Sequence, residues 1–446
     1  MFINRESEKK NLKDIYNSKK AELVLLYGRR RIGKSRLIVE TMKNENAIYF
    51  LADASDNILD ILAKQTNELF VKFSNWDDFF EFILKSKYKI FIIDEFQYIC
   101  QVEKSWPTIL QRWWEKIKDS NKKIILCGSI ISAIYKITKG YNSALYGRKT
   151  REIKILPLKF KHIIKFFPNY KIEELLKTYF ILGGVPRYLE EFNSKKNVEQ
   201  NMLEKIFEKT TFLCNEPINL LSEEFRDFSS YLSILLAISE GKTKFNEIST
   251  YSRISTNKLS KYLSVLERVE IIKKEIPITE TKLKSKTTRY CIIDNYYSFW
   301  LNFVMKNKSQ IERGLFQSVT KPMHQEINTY FGKKFENVCI EIILEKIKGI
   351  NKIGKWWHQD KEIDIIALDE TQKKAYFVEC KWQDDVDSQK ILNNLKEKSK
   401  SVIWKNNERK EHFIIFAKSF SKKTEDALLI DINEISKIVK EQNPKS

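Results

Sequence analysis

No stretch of this chain approaches the roughly 18 consecutive apolar residues of a membrane-spanning helix, so no span is expected. The opening Met1–Glu6 turns polar within four residues, which leaves no room for a signal-peptide core. Six cysteines (Cys100, Cys127, Cys214, Cys291, Cys339, Cys380) include no CxxC pair, which argues against a zinc ribbon and against a secreted disulfide framework. Most sit in apolar runs and read as ordinary buried thiols. The four histidines show no ligand spacing. With only 8 prolines and 12 glycines there is no flexible linker to mark a boundary. Together these absences place the chain in the cytosol.

Acidic residues are in deficit: 59 Asp+Glu stand against 79 Lys+Arg, a formal charge of +20. Such a surplus favours polyanionic partners, nucleic acid first, without identifying which. At 42% hydrophobic and 31% charged, the 446 residues can build large cores, about three domains' worth.

Residues 20–156 alternate short apolar strands with amphipathic helices, the pattern of a parallel sheet with helices on both faces. The strands are expected at Glu22–Tyr27, Ala47–Leu51, Lys89–Asp94, Lys123–Cys127 and Glu152–Leu156. Behind the first strand lies Gly28-Arg29-Arg30-Arg31-Ile32-Gly33-Lys34-Ser35, which matches GxxxxGK[ST] and opens a helix that continues through Arg36. In that context the glycines let backbone N–H groups curl around phosphates, Lys34 reaches the β- and γ-phosphates, and the Ser35 hydroxyl ligates Mg²⁺. The strand Ile90–Ile93 ends in Asp94-Glu95. Asp94 is expected to hold Mg²⁺ and Glu95 to polarise the attacking water. Ser129, after the next strand, is either a γ-phosphate sensor or a helix cap. Arg148 is either an arginine finger, in cis or across a subunit interface of a homo-oligomer, or an ordinary solvated arginine.

Residues 1–300 resemble the archaeal-type P-loop ATPases of the STAND/AAA+ group. The residues that carry this are Phe2-Ile-Asn-Arg5-Glu6, the Gly28–Ser35 loop, Ile93-Asp94-Glu95-Phe96-Gln97, Gly147-Arg148, Leu156-Pro157-Leu158 and Leu182-Gly183-Gly184-Val185-Pro186. The resemblance implies that the opening segment packs near the adenine. It also implies that the segment ending in Pro186 belongs to a helical lid over the nucleotide.

The expected division is a P-loop core at 1–156, a helical lid at 157–228, a winged helix at 229–305 and a small α/β domain at 320–435. In the winged-helix candidate, Ser255 caps a third helix, Lys258–Val269, and Ile271–Ile278 and Arg289–Ile293 form the wing. Between Lys242 and Arg289 the net charge is +7, from 12 Lys/Arg and 5 Asp/Glu. Lys258, Lys261, Lys282, Lys284 and Lys286 are placed to neutralise phosphates if this module meets DNA. The alternative is a packing module without DNA contact.

The C-terminal pattern Glu362-Ile363-Asp364, then Val378-Glu379-Cys380-Lys381, is a second constellation. Alternation puts Glu379 and Lys381 on one strand face. Two carboxylates suit Mg²⁺ or Mn²⁺ at a scissile phosphate, and the lysine suits charge stabilisation. A helix beginning at Phe335 offers Glu336 as a further ligand. This resembles the PD-(D/E)xK restriction-endonuclease-like fold, with Ile363 standing where that family's name has proline. The resemblance implies Asp364, Glu379 and Lys381 as its acid, acid and lysine, and Glu336 as its first-helix acid. On the following helix, Lys390, Lys396 and Lys398 either face DNA or are solvated.

The reading is a Mg·ATP-dependent ATPase coupled to DNA binding and metal-dependent DNA cleavage. The alternatives are an ATP-gated DNA-binding or signalling switch with a non-cleaving nuclease-like domain, and an ATP-driven protein remodeller.

Overall fold

The computed structural model describes residues 3–68, 70–138, 144–280 and 287–441. Phe2, Lys282, Lys284 and Lys286 lie outside the described residues. The chain divides into two compact units, Met1–Pro157 and Leu158–Ser446.

The first unit is built on five strands: β1 (Glu22–Tyr27), β2 (Ala47–Leu51), β3 (Ile90–Asp94), β4 (Lys123–Gly128) and β5 (Arg151–Lys154). They lie in the order β2-β3-β4-β1-β5, all parallel. The central strands are apolar throughout because both faces are covered. On one face Leu23, Leu25, Phe91, Ile93, Ile124 and Leu126 pack against the helices Trp76–Lys85 and Trp106–Ile117. On the other, Val24, Leu26, Ile92, Ile125 and Cys127 pack against Glu6–Tyr16 and Lys34–Met42. This period of two leaves the carboxyl ends of β1, β3 and β4 as the place where polar side chains gather. Between β2 and β3 a short helix, Ile58–Lys64, buries Ile58, Leu62 and Ala63.

The second unit opens with helices. Ile172–Leu182 stops at Gly183, whose φ of +64° only glycine adopts readily. Gly184 then packs against the Leu158 backbone, where a Cβ would collide with the Leu158 carbonyl. Pro186 opens a short helix, Pro186–Leu189. The helices Phe228–Ser239, Phe245–Ser252 and Thr256–Arg268 precede an antiparallel pair, β6 (Ile272–Glu275) and β7 (Arg289–Ile292).

A 31-residue helix, Phe316–Lys346, follows. Its start is a correction to the expected one: Phe335-Glu336-Asn337 falls inside the helix, not at its beginning. Val319, Met323, Tyr330 and Phe331 are buried along the added turns, and Pro322 lies inside the helix, where it lacks the N–H that would bond the Ser318 carbonyl.

The remaining strands are β8 (Lys352–His358), β9 (Lys361–Asp369), β10 (Lys374–Lys381), β11 (Val386–Asp387), β12 (Lys410–Ala417), β13 (Phe420–Lys422) and β14 (Leu428–Ile430). Five of them form a mixed sheet in the order β14-β12-β10-β9-β8. β8, β9 and β10 run antiparallel, and β10, β12 and β14 parallel. Phe377 and Ile366 pack toward the helix Ser388–Ser399 through Leu395. Cys380 and Phe416 face the long helix, where Phe335 meets Phe416. No helix among the described residues is long and apolar enough to cross a membrane.

Candidate functional sites: a phosphate loop and a carboxylate pair

The loop after β1 is shaped by two left-handed residues, Arg31 (φ +67°) and Gly33 (φ +91°). Arg31 holds a conformation unusual for a side-chain-bearing residue, as loops that aim their amides at a ligand commonly do. Lys34 is buried, and its ammonium donates to the carbonyls of Gly28 and Arg29, each at 3.0 Å. Burial pulls its pKa down, opposed by nearby negative groups, Glu95 and Asp94 among them. Ile32 is buried, and its carbonyl accepts from Arg5 at 3.2 Å. Arg30 donates to the Tyr98 hydroxyl at 2.6 Å, and Arg36 lies exposed on the helix.

The Ser35 hydroxyl donates to Asp94 Oδ2 at 2.6 Å. Asp94 is fully buried and also accepts from the Tyr49 hydroxyl at 2.6 Å and from the Glu95 N–H at 2.9 Å. Burial is the main reason the Tyr49 hydroxyl is held well above the usual phenol range, with the Asp94 charge adding to it. Glu95 has φ +55° and accepts from Ser129 at 2.7 Å and from the Gln97 amide. So Lys34, Ser35, Asp94, Glu95 and Ser129 converge. Arg148 joins a different group: its guanidinium lies 3.5 Å from Glu115 and donates to the Ala144 carbonyl at 3.3 Å. None of its described contacts is to the loop.

Two contributors here escaped sequence reasoning. Tyr49 lies one strand away on β2, paired beside β3, and strand order was the only signal that could have found it. Arg5 was noted in the opening segment but not as a brace for the loop.

At the second site the β9–β10 pairing ends at Ile365 opposite Val378, and just beyond it the Asp364 and Glu379 carboxylates come within electrostatic reach of each other. Asp364 Oδ2 accepts from the Cys380 N–H at 2.8 Å. Burial pushes its pKa up to about 6, and the Glu379 charge adds to the rise. Glu379 is buried and pairs with Lys381 at 2.8 Å and Lys398 at 3.2 Å. Asp364, Glu379 and Lys381 therefore meet.

Glu336 comes from the long helix, on the Cys380 side of the sheet, and forms an ion pair with Lys355. Burial pushes its carboxyl up to about 7, against the pull of Lys355. Lys355 sits where the β8–β9 register shifts, a local irregularity that sequence patterning does not show. Among the described residues no group of three or more His, Cys, Asp or Glu is arranged to hold a metal.

Residues 2–192 match a family described as an ATPase domain predominantly from Archaea. Residues 300–413 match one described as "Archaea bacterial proteins of unknown function". An uncharacterized protein of Methanocaldococcus jannaschii is 37% identical over 449 residues, spanning 98% of this chain and 100% of that protein. The chain belongs to one family with that protein, and its residues 2–192 form the ATPase domain. A 45-residue stretch of the chain is also 47% identical to an uncharacterized ATP-binding protein of the same organism, covering 10% of this chain and 76% of that one. Among solved structures, a Walker-type ATPase of Pyrococcus abyssi is 20% identical, with a TM-score of 0.48 over 68% of this chain and 96% of that one. The ORC2 protein of Aeropyrum pernix is 14% identical, with a TM-score of 0.44 over 70% of this chain and 94% of that one.

Gly28 shows how tightly the ATPase domain builds its loop. A Cβ there would lie 2.5 Å from the Ile155 carbonyl oxygen, which belongs to backbone and cannot swing aside. Gly28→Ala should therefore destabilise the protein by about 2 kcal/mol or more. Urea denaturation of the two proteins checks this, and an unchanged midpoint would contradict it.

Proposed function

We propose that this protein hydrolyses Mg·ATP at the Gly28–Ser35 loop and couples the cycle to DNA binding and metal-dependent DNA cleavage at Asp364, Glu379 and Lys381. The observation that carries the first half is the 2.6 Å bond from Ser35 to Asp94, which joins the loop to the acidic strand end in one polar cluster. The residues fit a polyphosphate: a buried lysine satisfied only by loop carbonyls stands ready to exchange them for phosphate oxygens. Bound Mg·ATP supplies the anhydride bond and the charge neutralisation.

In this reading Lys34 binds the β- and γ-phosphates, and Ser35 and Asp94 hold the metal. Arg29, Arg30, Arg31, Ile32 and Gly33 present backbone amides. Glu95, fixed by Ser129 and Gln97, takes a proton from the attacking water. Tyr49 keeps Asp94 in place. Arg148 acts as a finger only after release from Glu115. Pro186 belongs to a helical lid at 157–228, followed by a winged helix at 229–305 and a nuclease-like module at 320–435.

The second half rests on the two carboxylates and their neighbouring lysine. Mg²⁺ commonly takes only one or two protein carboxylates and completes its shell with water and substrate phosphate, so a pair fits. Asp364 and Glu379 would hold the ion, with Lys381 stabilising charge on the scissile phosphate. A specific observation favours a second reading, the non-cleaving switch. Two lysines already neutralise Glu379, and Glu336 is engaged by Lys355.

A supercoiled-plasmid assay with Mg²⁺ or Mn²⁺, with and without ATP, separates the readings. Nicking by the wild type that disappears in Asp364→Ala supports cleavage. Retained DNA binding without nicking supports the switch. No DNA binding at low salt removes both and leaves an ATP-driven protein remodeller.

A further inference from the structure

A cavity of about 710 Å³ lies within the second unit, bounded by the β6–β7 pair, the long helix and the start of β9. That volume falls in the range of small-molecule sites. The elements that bound it are tied to one another by side-chain and backbone contacts. Arg289 pairs with Glu362 at 3.1 Å and lies 4.4 Å from the Trp357 ring, and the Ile278 N–H donates to the Lys355 carbonyl at 2.9 Å.

Charge accounting within the lining is uneven. Lys273 pairs with Glu275 at 2.7 Å, Arg289 with Glu362, and Lys355 with Glu336. Lys334 has no such partner. It is only 6% exposed, lines the cavity, and among the described residues no carboxylate or hydrogen-bond acceptor pairs with it. Its described neighbours are the Tyr330 ring, 5.5 Å from the ammonium, and the buried Asp294, whose negative charge acts on it from beyond ion-pair distance. An ammonium has three donors and no acceptor. Burying it without a contacting acceptor is costly, and proteins rarely do so without use. Around it the walls are aromatic, from Tyr290, Phe303 and Tyr330, with hydroxyl and amide groups at Ser298, Asn302 and Asn337.

We infer that this cavity binds a small organic monoanion of about nucleotide size, its oxyanion head on Lys334 and its aromatic body against Tyr290, Phe303 and Tyr330. The cavity shares Glu336 and Lys355 with the surroundings of the carboxylate pair, but neither Asp364, Glu379 nor any phosphate-loop residue lines it. A monoanion answers the one buried cation of the lining that lacks a direct ion pair among the described residues, and the aromatic walls favour a flat body over an aliphatic one.

Two probes represent the head-group choices: 3′,5′-cyclic AMP for a phosphodiester and benzoate for a carboxylate. Calorimetric titration uses the full chain carrying Lys34→Ala, so that the phosphate loop does not contribute. Saturable binding of at least one probe is expected, falling at least tenfold with the added change Lys334→Met and kept within a few-fold by Lys334→Arg. Thr329→Trp, an exposed position on the cavity wall, should block binding without touching the core. Binding that survives both Lys334→Met and Thr329→Trp overturns the inference, as does the absence of saturable binding by either probe. Preferential competition by single-stranded DNA would overturn it too, and would assign the cavity to a nucleic-acid strand.

Discussion

Lys34→Ala should lower ATP turnover by about 100-fold or more, the scale of losing one preorganised charge contact to a transferring phosphoryl group, without lowering the melting temperature of the nucleotide-free protein. The two halves come from the same geometry. The ammonium reaches no carboxylate in its described bonds, only the Gly28 and Arg29 carbonyls, and it is held there against burial. A lysine whose folded pKa is lowered binds fewer protons folded than unfolded just below its ordinary value. Its charged form therefore opposes folding at neutral pH, and its removal relieves that opposition. The wild type should also gain stability on adding Mg·ATP, by about 3 kcal/mol at a hundredfold excess over Kd, and the variant should gain far less. Glu95→Gln separates binding from chemistry. It should keep the nucleotide-induced stabilisation and lose turnover by about 100-fold or more. Phosphate release and thermal denaturation, each with and without nucleotide, decide the matter. A Lys34→Ala protein that still hydrolyses ATP at the wild-type rate would remove the loop from the mechanism.

Much of this first site was legible because its signals are local. GxxxxGK[ST] and an apolar strand ending in two acids are contiguous patterns, and strand–helix alternation fixes which end of the sheet they share. Tyr49 and Arg5 were not legible as site residues, since each acts on a residue distant in sequence through the strand order or a helix approach. Ser129 left two readings open, and its 2.7 Å bond to Glu95 puts it with the catalytic candidate, while the next helix begins at Ile131.

At the second site, alternation on β10 correctly brought Glu379 and Lys381 to one face. Which partners would neutralise them depended on packing. Lys398, one of three lysines left as solvated or DNA-facing, pairs with Glu379 because its helix covers that face. Glu336 was grouped with the acids from its place on a preceding helix. That helix covers the opposite face, and Lys355 takes up its charge.

Asp364→Asn should make the protein more stable at pH 7.5 while abolishing any nicking and leaving ATP turnover within about twofold of wild type. Burial and the Glu379 charge raise the Asp364 pKa from 3.8 to about 6. A carboxyl with a raised folded pKa keeps its proton where the unfolded chain has already released it. Stability therefore falls as pH rises from about 4 to about 6, and above that window the ionised group carries the full penalty, on the order of 1–3 kcal/mol. Asparagine removes the ionisation and still offers an oxygen to the Cys380 N–H, which Asp364 now satisfies at 2.8 Å. The variant should thus exceed the wild type by roughly that amount at pH 7.5 and match it near pH 4, as read by urea denaturation at the two pH values. Residues kept at the expense of stability are those a function requires, so the sign of this difference bears on the role of the pair. Added Mn²⁺ should recover part of the wild-type deficit by binding the ionised pair, and should do nothing for the variant. If Asp364→Asn is the less stable protein at pH 7.5, and Mn²⁺ stabilises both equally, the carboxylate is a structural brace for the β9–β10 end and not half of a metal site.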